Sequence, residues 1–204
     1  MPRVLPAAAA LLTAFTLASE ARAVPFAMGC ITNNDAGDCT IAEDQITLDV
    51  TDAGGGNVAI ELSNAAGEDA VIAAVYFDGD VLDAIVSITN DPPGVEFSTG
   101  GAPPNLPGGN PVGFDADLLA TADAPPPQNG VGPGEALTIT LSIAPGSDFD
   151  DVLAALASTD LRVGIHVIAF ESGGSESLVN VPEPGALALI ALAGAALAGR
   201  SLRR

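Results

Sequence analysis

The sequence predicts a mostly β protein: a β-sandwich of jelly-roll type with one short helix, preceded by a signal helix and followed by a transmembrane helix. Three observations carry this expectation. Apolar and polar residues alternate in several short runs, the pattern of strands with one dry and one wet face. Glycine and proline, 23 and 16 among 204 residues, interrupt the chain too often for long helices. Only one stretch of the interior repeats its apolar residues with a helical period.

Taken in order, Ile46, Leu48 and Val50 alternate with Thr47, Asp49 and Thr51, and Val58, Ile60 and Leu62 alternate with Ala59, Glu61 and Ser63. Gly54, Gly55 and Gly56 between them suit a hairpin loop. Segment 70–77 is continuously apolar and reads as a central strand covered on both faces. Further strands are expected over 84–89, 94–98, 118–121 and 161–170, and at Leu137, Ile139, Leu141 and Ile143, which alternate with Thr138, Thr140 and Ser142. The helix follows Pro145 and Gly146. Its stripe is Phe149, Val152, Leu153 and Leu156; Ser147 is the expected N-cap, and Asp148, Asp150 and Asp151 complement the helix dipole. The Pro/Gly-rich segments 91–111 and 124–133 are expected loops, because proline removes a ladder donor.

Charge excludes whole classes of function. The formal net charge is −20, and all six basic residues are Arg. All of the 26 acids except Glu20 and Glu183 lie between residues 24 and 181. That leaves 24 acids against Arg162 alone, a formal charge of −23. Such a surface repels phosphate backbones, so nucleic acid is not a partner. The same stretch is long enough for one domain that buries about two thirds of its unfolded surface.

Both ends read as addresses. Arg3, an apolar run from Val4 to Leu17 and the Ala21-Arg22-Ala23 pattern make residues 1–23 a signal peptide. The body is 24–180. In 181–204, Val181, Pro182, Glu183 and Pro184 precede an apolar run from Gly185 to Gly199, and a basic cluster of Arg200, Arg203 and Arg204 follows. The run is shorter than the roughly 20 residues of an ordinary spanning helix, but its terminal arginines suit the cytoplasmic side of a membrane. This tripartite end closely resembles the PEP-CTERM sorting signal of Gram-negative bacteria. The resemblance implies transient anchoring in the inner membrane, cutting near the motif by an exosortase-type membrane protease, and delivery to the cell surface or beyond. Within the body, the stretches VYFDGDVL, GGAPPNLPGG, NGVGPGEALTITLSI and LRVGIHVIAFESGGSESLVN resemble a domain that recurs in PEP-CTERM proteins without assigned activity. That likeness implies a secreted β-rich domain and carries over no site residues.

Little in the body points to chemistry. Cys30 and Cys39 are the only cysteines, and export makes a disulfide the expectation, contributing on the order of 2–3 kcal/mol by chain entropy. Arg162 and His166 share a strand face with Gly164, and read either as an anion clamp or as an ion-pair patch among carboxylates. Asp78, Asp80 and Asp83 are weak calcium candidates, since neither they nor the acids of 115–117 and 148–151 match the twelve-residue EF-hand pattern. Gly173, Ser175 and Ser177 resemble a nucleophile elbow only superficially, because the second flanking glycine is missing. With no Trp and one Tyr, a stacking platform for sugars is nearly absent. No catalytic residue, cofactor or resident metal is therefore expected. Two classes remain: an exported structural or interaction protein, and a secreted calcium- or ligand-dependent binding module that uses the Pro/Gly-rich loops. Extracellular polysaccharide is the matrix partner that either would meet.

The charge generates a first prediction. Folding brings the carboxylates together, and at about 0.1 M salt the Debye length of about 10 Å leaves neighbouring acids repelling one another; at about 1 M it falls to about 3 Å. Calorimetry of the exported body is expected to show a melting temperature that climbs steeply from low to molar NaCl, as suits a salt-tolerant source. A flat profile would show that the charge is tolerated unscreened.

Overall fold

The computed structural model describes residues 23–91, 94–100 and 103–182. The expected signal helix and C-terminal transmembrane helix lie outside the described residues. Among those described, no helix is long and apolar enough to cross a membrane.

The chain is mostly β. Strand β1 (Val24–Cys30) leads into helix α1 (Ala36–Gln45), and β2 (Ile46–Gly54) and β3 (Asn57–Asn64) form a hairpin. Next come β4 (Val71–Asp78), β5 (Leu82–Asp91), the short β6 (Phe97–Thr99) and β7 (Leu118–Ala122). A four-residue turn of helix, α2 (Pro126–Asn129), precedes β8 (Glu135–Ile143). Helix α3 (Phe149–Ser158), β9 (Arg162–Ile168) and β10 (Glu176–Val181) complete the fold.

The ten strands follow one continuous order, β5-β8-β3-β2-β1-β10-β9-β4-β7-β6, and every pairing is antiparallel. Continuity rests on β1. Val24, Pro25 and Phe26 pair with Val50, Asp49 and Leu48 of β2, whereas Ala27, Met28, Gly29 and Cys30 pair with Val181, Asn180, Val179 and Leu178 of β10. The order nearly closes into a barrel, because its two end strands approach each other where Asn90 Oδ1 accepts from Phe97 N at 3.0 Å.

The alternating runs put their apolar members inside. Leu48, Ile60, Leu137, Ile139 and Leu141 from one half meet Val163, Ile165, Val167, Val75 and Phe77 from the other in a single core, which α3 closes with Val152 and Leu156. Each such side chain contributes about 1.5–3 kcal/mol when fully buried. Segment 70–77 is covered on both faces, as its unbroken apolarity requires. Its outward residues Ala74 and Tyr76 join Leu119 and Val179 under Leu106 and Phe114. Those two lie in the segment 103–117, so part of the Pro/Gly-rich loop is a second layer over the sheet rather than a free excursion.

Two expectations require correction. One short helix was expected, whereas two helices of ten residues form, together with α2. Helix α1 lacks an apolar stripe. It is held by its Asp35 cap, which accepts from Gly37 N at 2.7 Å, and by burial of Cys39 and Ala42, so periodicity could not reveal it. In α3 the N-cap is Asp148, not Ser147: Asp148 accepts from Asp151 N and Asp151 from Asp148 N, at 3.1 and 3.0 Å. This reciprocal box satisfies two donors, where the Ser147 side chain would satisfy one.

Gly164 is where the second layer comes closest to the sheet. A Cβ there would lie 2.7 Å from Leu106 Cδ2 and 2.9 Å from Phe114 Cζ. Gly164→Val is expected to destabilise the fold by about 1–3 kcal/mol through overpacking. Tyr76 is the sole tyrosine of a chain without tryptophan, so its fluorescence reports on the layer above it. Acrylamide quenching should rise in the variant; unchanged quenching would show that the loop does not rest on this strand.

Candidate functional site

The side chains with chemical potential gather at three places on the fold. At the first, Cys30 at the end of β1 and Cys39 in α1 form a disulfide with a Cα–Cα distance of 5.7 Å. The loop it closes wraps around Glu176, the first residue of β10, which is 1% exposed. The Glu176 carboxylate accepts from Asp35 N at 2.7 Å, from Asn34 N at 3.1 Å and from the Thr32 hydroxyl. A buried charge needs such donors, and two backbone N–H groups with a hydroxyl supply them. Asn34 Nδ2 donates to Ser175 O at 2.8 Å and Ile31 N to Ser177 O at 2.9 Å, so the loop is fastened to the start of β10 along its length. Among the described residues, Cys30, Cys39 and Glu176 are the one group of three that converges like metal ligands, but both sulfurs are bonded to each other.

At the second place, Arg162 holds the 110–115 turn. Its guanidinium pairs with Asp78, donates from Nη1 to Val112 O at 2.9 Å and from Nη2 to Gly113 O, and lies 5.1 Å from the Phe114 ring centroid. Asp78 in turn accepts from Asp115 N at 3.0 Å. The only Arg of the body is thus engaged on every side. Of the calcium candidates, Asp78 is committed to Arg162, while Asp80 and Asp83 are exposed, and the three do not converge.

His166 lies four residues along β9 on the same outward face, as period two requires, with Gly164 between them under Leu106 and Phe114. The two basic groups are not brought together. His166 Nδ1 is 3.3 Å from Ser177 Oγ. Burial lowers the imidazole pKa below its ordinary value, opposed by a hydrogen bond with the Glu176 backbone. Ser177 has no exposed surface, so this contact is sealed from solvent on the serine side.

The third place is the exit of β10. Ala27 pairs with Val181, so the first and last strands lie side by side, and Val24 and Pro182 leave the sheet at the same end. Asn180, 3% exposed, accepts from Val163 N at 2.7 Å, while its Nδ2 is buried without a partner. Neither Glu176 nor Asn180 was singled out from the sequence. They flank Leu178 with period two, but two polar residues in an inward-facing set conceal the strand rather than announce it.

Residues 180–204 match the PEP-CTERM protein-sorting motif. The chain therefore carries this C-terminal signal, beginning within β10, and the signal indicates exosortase-dependent sorting of an exported protein from a membrane-anchored precursor to the cell exterior. No curated protein and no solved structure matches the chain.

The Glu176 cage yields a prediction. Glu176→Gln replaces one acceptor oxygen by a donor that faces N–H groups, and should destabilise the disulfide-intact protein by about 1–3 kcal/mol. Glu171→Gln, at an exposed position, should stay within about 0.5 kcal/mol. Urea denaturation of the two variants checks the difference, and equal midpoints would remove the cage as a stabilising element.

Proposed function

We propose that this protein is a non-catalytic structural or interaction protein of a Gram-negative bacterium. It is exported across the inner membrane, held there briefly by its C-terminal segment, and delivered by an exosortase-type protease to the cell surface or the extracellular polymer matrix. The observation that carries the reading is the signal over 180–204, in which Val181, Pro182, Glu183 and Pro184 precede an apolar run and three arginines.

The body supports the non-catalytic part. Its Arg fastens a turn, its buried Glu fastens the disulfide loop, and the serine beside its His has no exposed surface. We read its architecture as a sandwich of jelly-roll type whose two halves share β1, a shape suited to display of loops over a rigid core. An acidic, Lys-free exterior suits a highly hydrated matrix, where mutual repulsion keeps copies dispersed.

The test is fractionation with intact-mass analysis in the native host, with and without its sorting protease. With the protease, surface material should lack the tail; without it, full-length protein ending at Arg204 should stay with the membrane. Surface-located protein that retains Arg204 would count decisively against processing. Hydrolase activity of the purified body, lost on carboxylate mutation, would overturn the non-catalytic role.

A further inference from the structure

The signal begins where the sheet ends. Val181 is the last residue of β10 and pairs with Ala27, and Pro182 opens the Pro-Glu-Pro triplet of the sorting motif. Only residues 182–184 separate this pairing from the apolar run that starts at Gly185. Three extended residues reach at most about 11 Å. A protease that holds an extended stretch on both sides of a bond in this region has almost no chain to grip while Asn180 and Val181 remain in the sheet. β10 is also not an edge strand that could swing aside whole, because it lies between β1 and β9.

The end of β10 is nonetheless lightly held. Upstream, Leu178 is fully buried and Val179 nearly so. Asn180 differs: the Val163 N–H fixes the orientation of its amide, since the donor must meet Oδ1, and this leaves Nδ2 buried without a partner. Release of the strand end would return that donor to water, which offsets part of what the Val163 bond and the pairing with β1 contribute to the closed arrangement. Val181 is 41% exposed and packs over the bare backbone of Gly29; a Cβ at Gly29 would lie 2.8 Å from Val181 Cγ1.

We propose that Asn180 and Val181 leave the sheet before the motif is processed. This rests on the sorting reading above. The rate of processing then follows the fraction of precursor with its strand end released, and the body itself sets the pace of its own sorting.

The experiment follows conversion of full-length precursor to mature protein in the native host by pulse–chase and intact mass, beside hydrogen exchange on the purified precursor. Amides at Asn180 and Val181 should exchange at least about tenfold faster than that of Leu178. Gly29→Ala, which forces Val181 outward, should accelerate processing several-fold. Inserting Gly-Ser-Gly-Ser between Val181 and Pro182, which leaves the sheet intact, should do the same, and Gly29→Ala should add nothing once the insertion is present. Equal protection at Leu178 and Val181, or processing rates unmoved by the insertion, would overturn the proposal while sorting itself stands. A wild-type precursor that is never cut would overturn the sorting reading and this proposal together.

Discussion

Strand β1 divides its pairing between two partners, and the rest of the molecule depends on that division. Its first three residues complete the half of the sheet that contains β2, β3, β8 and β5; its last four complete the half that contains β10, β9, β4, β7 and β6. The inward faces of both halves then meet in one core. Because the partner of β1 in the second half is the last strand, the fold closes only when the two ends of the body lie side by side. Loop-closure entropy grows slowly with length, so a pairing across the whole body costs little more than the other long-range pairings of the sheet, such as β3–β8, β5–β8 and β4–β9. The disulfide and the Glu176 cage sit at the other end of the same β1–β10 pair, so covalent and polar restraints reinforce the contact that has the greatest sequence separation.

A chain without lysine must fasten its loops differently from most proteins. The carboxylates of Asp35, Asp52, Asp117, Glu43 and Glu135 each accept from a backbone N–H, of Gly37, Gly54, Gly79, Cys30 and Gly132 respectively. Such charge-assisted bonds are stronger than neutral ones and need no countercharge. The acids therefore act as turn and cap residues, while most of the formal charge of the body remains uncompensated. Arg162 is the exception, and the position of that single cation is telling. It ties the second layer to β4 and β9, beside the bonds of Asp115 N to Asp78 and of Asp117 N to Phe77 O.

The end from which Val24 and Pro182 depart also carries the β2–β3 and β4–β5 turns and the start of α3, with Asp52, Asp80, Asp148 and Asp150. An acidic end next to a membrane-directed segment repels anionic headgroups.

How much of this was legible depends on where each signal resides. The strands around Ile46, Val58 and Leu137, the continuous run at 70–77 and the stripe of α3 were readable because side-chain alternation is a local consequence of backbone period. The sorting signal was readable because it is a linear motif addressed to a membrane and a protease, not to a fold. β1 and β10 were not readable. Pro25, Gly29 and Cys30 interrupt the first, and Glu176 and Asn180 place polar groups on the inward face of the second. These residues are tolerable only because of partners far away in sequence: Val181 filling the space over Gly29, the 31–35 loop around Glu176, and Val163 donating to Asn180. The sequence by itself determined the β class, the charge and the destination, since each is a sum or a local pattern. Tertiary structure alone decided that the destination signal starts inside β10, because strand pairing is a long-range choice that no window of the chain contains.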